Sequence, residues 1–369
     1  MTSIPFLKKI ASILLLISLF LDAATFQVSR VDLGHSVSLY ELYPIYALVL
    51  VSLFIFFNSI PSSIVIKRWI LFMNTLIPSL VITVLMQTSF AQSANRMSLS
   101  LGFYVLVLAL LFYVYQEKNA WQYGLFLGMV MLITVSVQDG SKLSFVLEYQ
   151  NNAQALLRES LTHLMLVMSS VVLSIPIAWW MAKLAYEKQI FKASLMAFVN
   201  FFQVIPTLSY LSLLMIPLSL LSLAYPWLRS LGISGIGFTP AFIVLSSYAL
   251  MPMMTQIYAG FESIDASIIE AAKGMGLNSK QVFRQIMIPL TLPNFIVGLR
   301  VALLQNISSA VLAGLVGGGG LGALIFLGLS QSATDLILLA TLPLMAMSYL
   351  SERVCDQLDT LAHLKGGIS

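Results

Sequence analysis

The chain has 369 residues, of which only 9% are charged and 59% hydrophobic, and its mean hydropathy is +0.93. A soluble domain needs about 25% charged residues to cover its surface, so this composition excludes a water-covered globule and makes lipid the main solvent. The net charge of +4 sits on Lys and Arg placed singly or in pairs between apolar runs, which excludes a basic stripe for nucleic acid; the lone Cys355 excludes an internal disulfide or a cysteine zinc cluster. The scattered His35, His163 and His363 suggest no metal site either.

A bilayer core of about 30 Å needs roughly 20 apolar helical residues to cross it. Such runs are expected at 10–22, 43–60, 69–90, 99–115, 121–137, 161–182, 195–223, 238–256, 290–316 and 335–350. The predicted fold class is therefore an all-α integral membrane protein of about ten transmembrane helices. The first run, with Lys8 and Lys9 ahead of a short apolar stretch and Ala23-Ala24 behind it, reads as a cleavable signal peptide or as a retained anchor. The anchor fits the parity of the remaining spans better. The polar stretch 138–160 divides the chain into an accessory N-terminal membrane region, 1–150, with about five spans, and a core, 151–369, that holds nearly all the motif-like content.

Charge sets the orientation. With a cytoplasmic N-terminus and every run crossing, the inner segments hold Lys8, Lys9, Lys67, Arg68, Lys118, Lys183, Lys188, Lys192, Lys273, Lys280, Arg284, Arg353 and Lys365. The outer segments hold only Arg30, Arg96, Lys142, Arg158 and Arg229. This places the protein in a membrane with both termini cytoplasmic. Trp179 and Trp180 precede Lys183, where an interfacial aromatic anchor is expected. Pro206 is expected to kink the span 195–223.

The segment 260–289 is too polar to span but is helical in pattern, with Ile264, Ile268, Ile269 and Ala272 on one face. Glu262 and Asp265 fall in the first part of the predicted helix and Lys273 at its end, as the helix dipole favours. Gly274 and Gly276 are expected to break it, and Asn278, three residues before Gln281, to cap a second helix running to Pro289. An amphipathic loop lying on lipid would favour Trp, Phe and Leu. Ala271, Ala272, Gly274 and Gly276 are small instead, which suits the close approach of another protein.

This loop resembles the signature of bacterial ATP-binding-cassette importer permeases: Glu270, Ala271 and Ala272, then Gly276, then Ile286 and Pro289, with Ile288 where that family prefers Leu. The runs Gln203-Val204-Ile205-Pro206-Thr207-Leu208, Gly298-Leu299-Arg300 and Leu315 to Gly322 resemble segments of the osmoprotectant branch, although methionine-type permeases share parts of the glycine segment. The resemblance covers about 155–350. It implies a permease core whose 260–289 segment couples to a separate cytoplasmic ATPase, through Glu270, Ala271, Ala272, Gly274, Gly276, Ile286 and Pro289. It further implies a second permease subunit, the same or a homologous chain, and an extracytoplasmic solute-binding protein. ATP and Mg would sit on the ATPase, with no cofactor on this chain.

The remaining signals are weaker. Gly317, Gly319 and Gly322 spell a dinucleotide fingerprint, but neither a preceding strand nor a following acidic residue accompanies them. Gly317, Gly318, Gly319, Gly320 and Gly322 are better read as close helix packing or an outer gate. The sequence contains no phosphate-binding loop of the G-x-x-x-x-G-K-[ST] type, so ATP hydrolysis by that route is excluded. Arg300 lies inside a predicted span and is either structural or part of the solute path. Gln203, Pro206, Thr207, Asn306 and Ser308 are candidate pathway residues, with Ser309 beside them. An ion-coupled carrier is the rival class, but the runs between 43 and 316 hold no Asp or Glu, the residues that commonly carry proton coupling inside a membrane. A purely structural membrane subunit would leave the docking loop without a purpose. A permease for another small solute, such as an amino acid, remains an alternative to an osmoprotectant permease.

Overall fold

The computed structural model describes residues 143–366 without interruption and, before them, chiefly 20–27, 34–42 and 96–114. The expected spans at 43–60 and 121–137, and nearly all of 69–90, lie outside the described residues, and 10–22 is described only in part. The chain divides into two compact units, Met1–Asn151 and Asn152–Ser369.

The first unit corrects the all-α expectation. Strands β1 (Asp22–Gln27), β2 (His35–Ser38) and β3 (Arg96–Leu99) form an antiparallel sheet in the order β2-β1-β3. Ala24 pairs with Val37 and Leu99, and Phe26 with His35 and Met97. Ala24, Phe26, Val37 and Met97 are all buried, so one face of a short alternating segment finds cover, which is what a strand needs. These residues sit in polar connecting segments, where no helical periodicity competes. Helix α1 (Leu101–Val114) follows, at 14 residues. Arg96 fixes β3 to the start of the next helix, donating from Nε to Ser144 Oγ (2.7 Å) and ion-pairing with Glu148.

The second unit is helical. Helix α2 (Ser144–Glu187) is followed by α3 (Gln189–Val204), α4 (Thr207–Ala224) and α5 (Phe238–Glu262). A short α6 (Ala266–Gly274) leads to α7 (Ser279–Val282), a π turn (Phe283–Met287), α8 (Ile288–Ser309) and a 3-10 turn (Ala310–Val316). Helices α9 (Leu321–Ser330) and α10 (Thr334–Gly366) complete it. Among the described residues, five stretches are long and apolar enough to cross a membrane: Ser144–Glu187, Thr207–Ala224, Phe238–Glu262, Ser279–Val316 and Thr334–Ala362.

Helix α5 is the centre of this unit; Leu245, Met253, Met254, Ile257 and Phe261 are fully buried along it. Small polar groups join it to its neighbours. Ser174 Oγ donates to Ser246 O (2.8 Å), and Asn306 Nδ2 donates to Ser170 Oγ (3.0 Å) and Leu245 O (3.1 Å). In an apolar surrounding such bonds hold helices together, because water offers no alternative partner.

Three elements differ from expectation. The predicted span 195–223 is two helices. Proline disfavours helical geometry at the residue before it, and Ile205 (φ −75°, ψ 123°) and Pro206 (φ −56°, ψ 134°) are extended, so the chain breaks where a kink was expected. The second helix of the 260–289 segment does not stop at Pro289. It continues as one rod from Ser279 to Val316. The Ile288 N–H reaches the Phe283 carbonyl, and this widened turn accommodates the proline without a break. The last span extends far beyond Leu350, to Gly366.

Candidate coupling surface and solute pathway

Helix α6 is cut out by its caps. Asp265 accepts a bond from the Ser267 N–H (2.9 Å), closing the first turn. That backbone donor, with the Ser267 side chain, holds the Asp265 carboxyl below its ordinary range. At the other end the Leu277 N–H bonds Ala272 O (3.2 Å) and the Gly276 N–H bonds Lys273 O (2.9 Å), a Schellman motif. Gly276 has φ +88°, the left-handed geometry this motif requires. Gly274 is the last helical residue and does not itself break the helix. Asn278 and Gln281 then form a reciprocal capping box, Asn278 Oδ1 accepting from the Gln281 N–H (2.9 Å) and Gln281 Oε1 from the Asn278 N–H (2.8 Å).

The caps orient two faces. Ala272 is buried, and Ile264, Ile269, Leu277 and Ile286 pack against the core. Ile268 does not join them; it is exposed. Glu270, Ala271, Gly274, Met275 and Gly276 form the outward face, Met275 being 73% exposed. Space above Gly274 and Gly276 is open to 4 Å, so the turn geometry is what asks for glycine at 276, and nothing in the described residues requires Gly274 to be small. Pro289 is half-buried in the rod behind. Glu262 is not part of this helix; it ends α5.

Beneath α6 lies an aromatic hub that sequence spacing alone did not reveal. Phe261 is completely buried and its ring meets Trp179 (5.8 Å), Tyr186 (5.5 Å) and Phe283 (5.9 Å). Trp179 also meets Phe295 (5.6 Å), so it faces inward, whereas Trp180 is exposed. Lys183 lies over the Phe283 ring at 4.4 Å. Beside the hub, Lys192 reaches Glu262 Oε1 (3.1 Å) and covers the Tyr258 ring (4.5 Å), while the Tyr258 hydroxyl donates to Glu262 Oε1 (2.5 Å). The Tyr258 and Glu262 oxygens raise the Lys192 pKa.

The candidate pathway residues separate on inspection. Gln203 lies at the α3–α4 break, where its Nε2 donates to Tyr248 O (2.8 Å) and its Oε1 accepts from Gln305 Nε2 (2.9 Å). The Tyr248 hydroxyl donates to Ile205 O (2.6 Å), and Tyr210 and Ser247 pair at 3.2 Å. Pro206 is exposed at the break and Thr207, half-buried, begins α4. Ser308 is exposed one turn beyond Gln305 and donates to Leu304 O (3.1 Å). Asn306 is turned away, completely buried between α2 and α5. Gln305, a second amide next to Asn306 in an apolar run, is the pathway candidate that the sequence offered and helical phase alone left hidden.

Arg300 also has a partner the predicted span excluded. Its guanidinium donates to Asp356 Oδ1 (2.7 Å), on the polar end of α10 beyond Leu350. The group is thus half of an interhelical ion pair with α10. At the opposite end of the unit, Gly317, Gly319 and Gly320 have positive φ and Gly318 donates its N–H to Ala313 O (2.8 Å). Gly320 donates its N–H to the buried Glu159 carboxylate (2.7 Å), and the Gly237 N–H bonds Val316 O (2.8 Å). Gly322 presses against Val311, where a Cβ would lie 1.8 Å from the carbonyl oxygen. The glycine segment is therefore a packed turn. Among the described residues no group of His, Cys, Asp and Glu is placed to hold a metal.

Membrane-length helices with a capped, outward-facing short helix between two of them define the architecture of a multi-pass membrane protein. Residues 159–361 match the family described as Binding-protein-dependent transport system inner membrane component. The chain belongs to that family: it is the permease subunit of an ATP-binding-cassette importer, a multi-pass inner-membrane protein. It is 29% identical over 211 residues to the Carnitine transport permease protein OpuCB of Listeria monocytogenes, covering 57% of this chain and 89% of that one. Identity to the Glycine betaine/carnitine/choline transport system permease protein OpuCB of Bacillus subtilis is 28% over 205 residues, covering 56% and 87%. Identity to the Osmoprotectant import permease protein OsmY of Salmonella typhimurium is 41% over 113 residues, covering 31% and 45%.

Proposed function

We propose that this permease imports an osmoprotectant such as glycine betaine, with α6 as the coupling helix for a separate cytoplasmic ATPase that carries ATP and Mg. The observation that carries the coupling assignment is the outward face of α6, where Glu270, Ala271, Gly274 and Gly276 lie exposed on a helix anchored from behind by Ala272. A second permease subunit, the same or a homologous chain, completes the pathway along Gln203, Thr207, Gln305 and Ser308. A solute-binding protein delivers solute from outside, and both termini are cytoplasmic. The core 151–369 does this work, and 1–150 is an accessory region. The solute class rests on the relatives, which are named for carnitine, choline and glycine betaine transport.

The test is uptake of labelled glycine betaine into vesicles holding the permease and its ATPase, with the binding protein added. Uptake is expected to require ATP and to stop when the ATPase loses its catalytic carboxylate. Uptake that persists without ATP and follows a proton or sodium gradient would overturn the reading. ATP-driven uptake of an amino acid in place of glycine betaine would move the solute assignment alone.

A further inference from the structure

The cluster of Lys192, Tyr258 and Glu262 has no part in the docking face, yet it joins two elements on either side of it. Glu262 is the last residue of α5, and only Ser263 and Ile264 separate it from the Asp265 cap of α6. Lys192 belongs to the first turn of α3, whose far end is the Ile205–Pro206 break. Two groups converge on one carboxylate oxygen: the Lys192 ammonium and Tyr258 hydroxyl both bond Glu262 Oε1, and the ammonium also covers the Tyr258 ring. Gln189 adds a bond from Nε2 to the Tyr258 hydroxyl (3.4 Å).

The far end of α3 is tied to the same partner helix. Gln203 donates to Tyr248 O and the Tyr248 hydroxyl donates to Ile205 O. Helix α3 thus runs antiparallel to α5 and is fastened to it at both ends. On α5 the fastenings lie ten and fourteen residues apart, at Tyr248 against Tyr258 and Glu262, which is about 15–21 Å of helix. A short helix pinned at both ends moves with its partner. A displacement of α6 is carried through Glu262 to Lys192, along α3, and arrives at the extended residues 205–206, beside the Gln203–Gln305 pair.

We infer that the Lys192–Tyr258–Glu262 cluster is a transmission latch: it makes α3 follow the coupling helix, so that ATPase movement reaches the polar break. The inference rests on the assignment of α6 as the coupling helix. In this latch Lys192 and Glu262 are positioning residues, acting through α3 and α5. Their side chains are 39% and 50% exposed, and part-exposed ion pairs contribute little to folding stability. Loss of the latch therefore acts on coupling more than on folding.

The experiment measures solute taken up per ATP hydrolysed by the whole transporter in vesicles, with binding protein present. Lys192→Met, Glu262→Gln and Tyr258→Phe are compared with the unaltered chain, normalised to permease in the membrane and to co-purified ATPase. Each single change is expected to lower the ratio about fivefold or more while ATPase binding stays within about twofold, and Lys192→Met with Glu262→Gln should fall no further than either alone, since residues in one network are not additive. Ratios at the unaltered value, or effects of the two changes that multiply, would overturn the latch. If an ion-pair variant accumulates poorly, Tyr258→Phe, which removes one oxygen, decides the matter by the same ratio. An unaltered chain without ATP-driven uptake would refute the importer reading itself, a separate outcome from a working transporter whose latch variants behave normally.

Discussion

At Gly276 the backbone alone explains the glycine: φ +88° strains a residue with a Cβ by about 1–2 kcal/mol. At Gly274 it does not. That residue is helical, its surroundings are open, and alanine would suit the helix better by about 1 kcal/mol. On the proposed coupling role of α6, the remaining reason for its size would lie outside the chain, in the approach of the ATPase. Gly274→Leu is therefore expected to reach the membrane in normal amount and to lower ATPase co-purification about tenfold or more, the loss of about 1.4 kcal/mol of binding. Glu270→Ala should weaken it less, since Glu270 is exposed and makes no ion pair among the described residues. Normal ATPase binding by Gly274→Leu would remove α6 as the docking face. The Gly276 turn and the Asn278 cap were legible because each is a local rule of few residues. The position of Glu262 was not, because the end of α5 is fixed by burial of Phe261, a property of the packed unit.

Among the elements of the second unit, sequence located the helices well and their joints poorly. Pro206 and Pro289 look alike in the chain, yet one ends a helix and the other is absorbed by a π turn. The difference lies in what lies alongside. Around Pro206, the Tyr248 hydroxyl bonds the opened backbone at Ile205 O, and Gln203 just before the break ties back to Tyr248 O. Around Pro289, buried Val282 and Met287 flank the turn and hold the rod in line. The end of α10 was misjudged because hydropathy registers lipid contact. Past Leu350 the helix continues on polar residues, with Asp356 answering Arg300. The small sheet was missed because strands this short carry little periodic signal against apolar helices.

For the whole molecule, the second unit has two chemically distinct ends. Lys183, Lys192 and the capped α6 gather at one, through the Lys192–Glu262 and Lys183–Phe283 contacts. Arg158, Glu159 and the glycine turn gather at the other. Positive charge favours the cytoplasmic side, so the α6 end should face inward, where an ATPase is found. Reporter fusions at Lys192 and after Ser369 are expected to read inside and one at Asn152 outside; an outside signal at Lys192 would overturn the orientation. The core's membership of its family was legible because the 260–289 segment is a dense local motif. The N-terminal region offered mainly apolar runs, which state a solvent and little else.

The break at Ile205–Pro206 also bears on biosynthesis. Pro206 has no N–H, so the Phe202 carbonyl loses its ordinary helical donor, and the extended residues release further backbone groups. Hydrocarbon offers them nothing, at a penalty of several kcal/mol each. Tyr248, whose hydroxyl bonds the Ile205 carbonyl, and Gln305, which bonds the Gln203 side chain just before the break, are synthesised later. Residues 189–224 therefore cannot settle in lipid as they leave the ribosome, and must be held by the insertion machinery until α5 and α8 arrive. Nascent chains ending just after Ala224 should release this segment to protease or alkaline extraction, while chains extending beyond Ser309 should protect it. Equal protection at both lengths would mean that the segment integrates unaided.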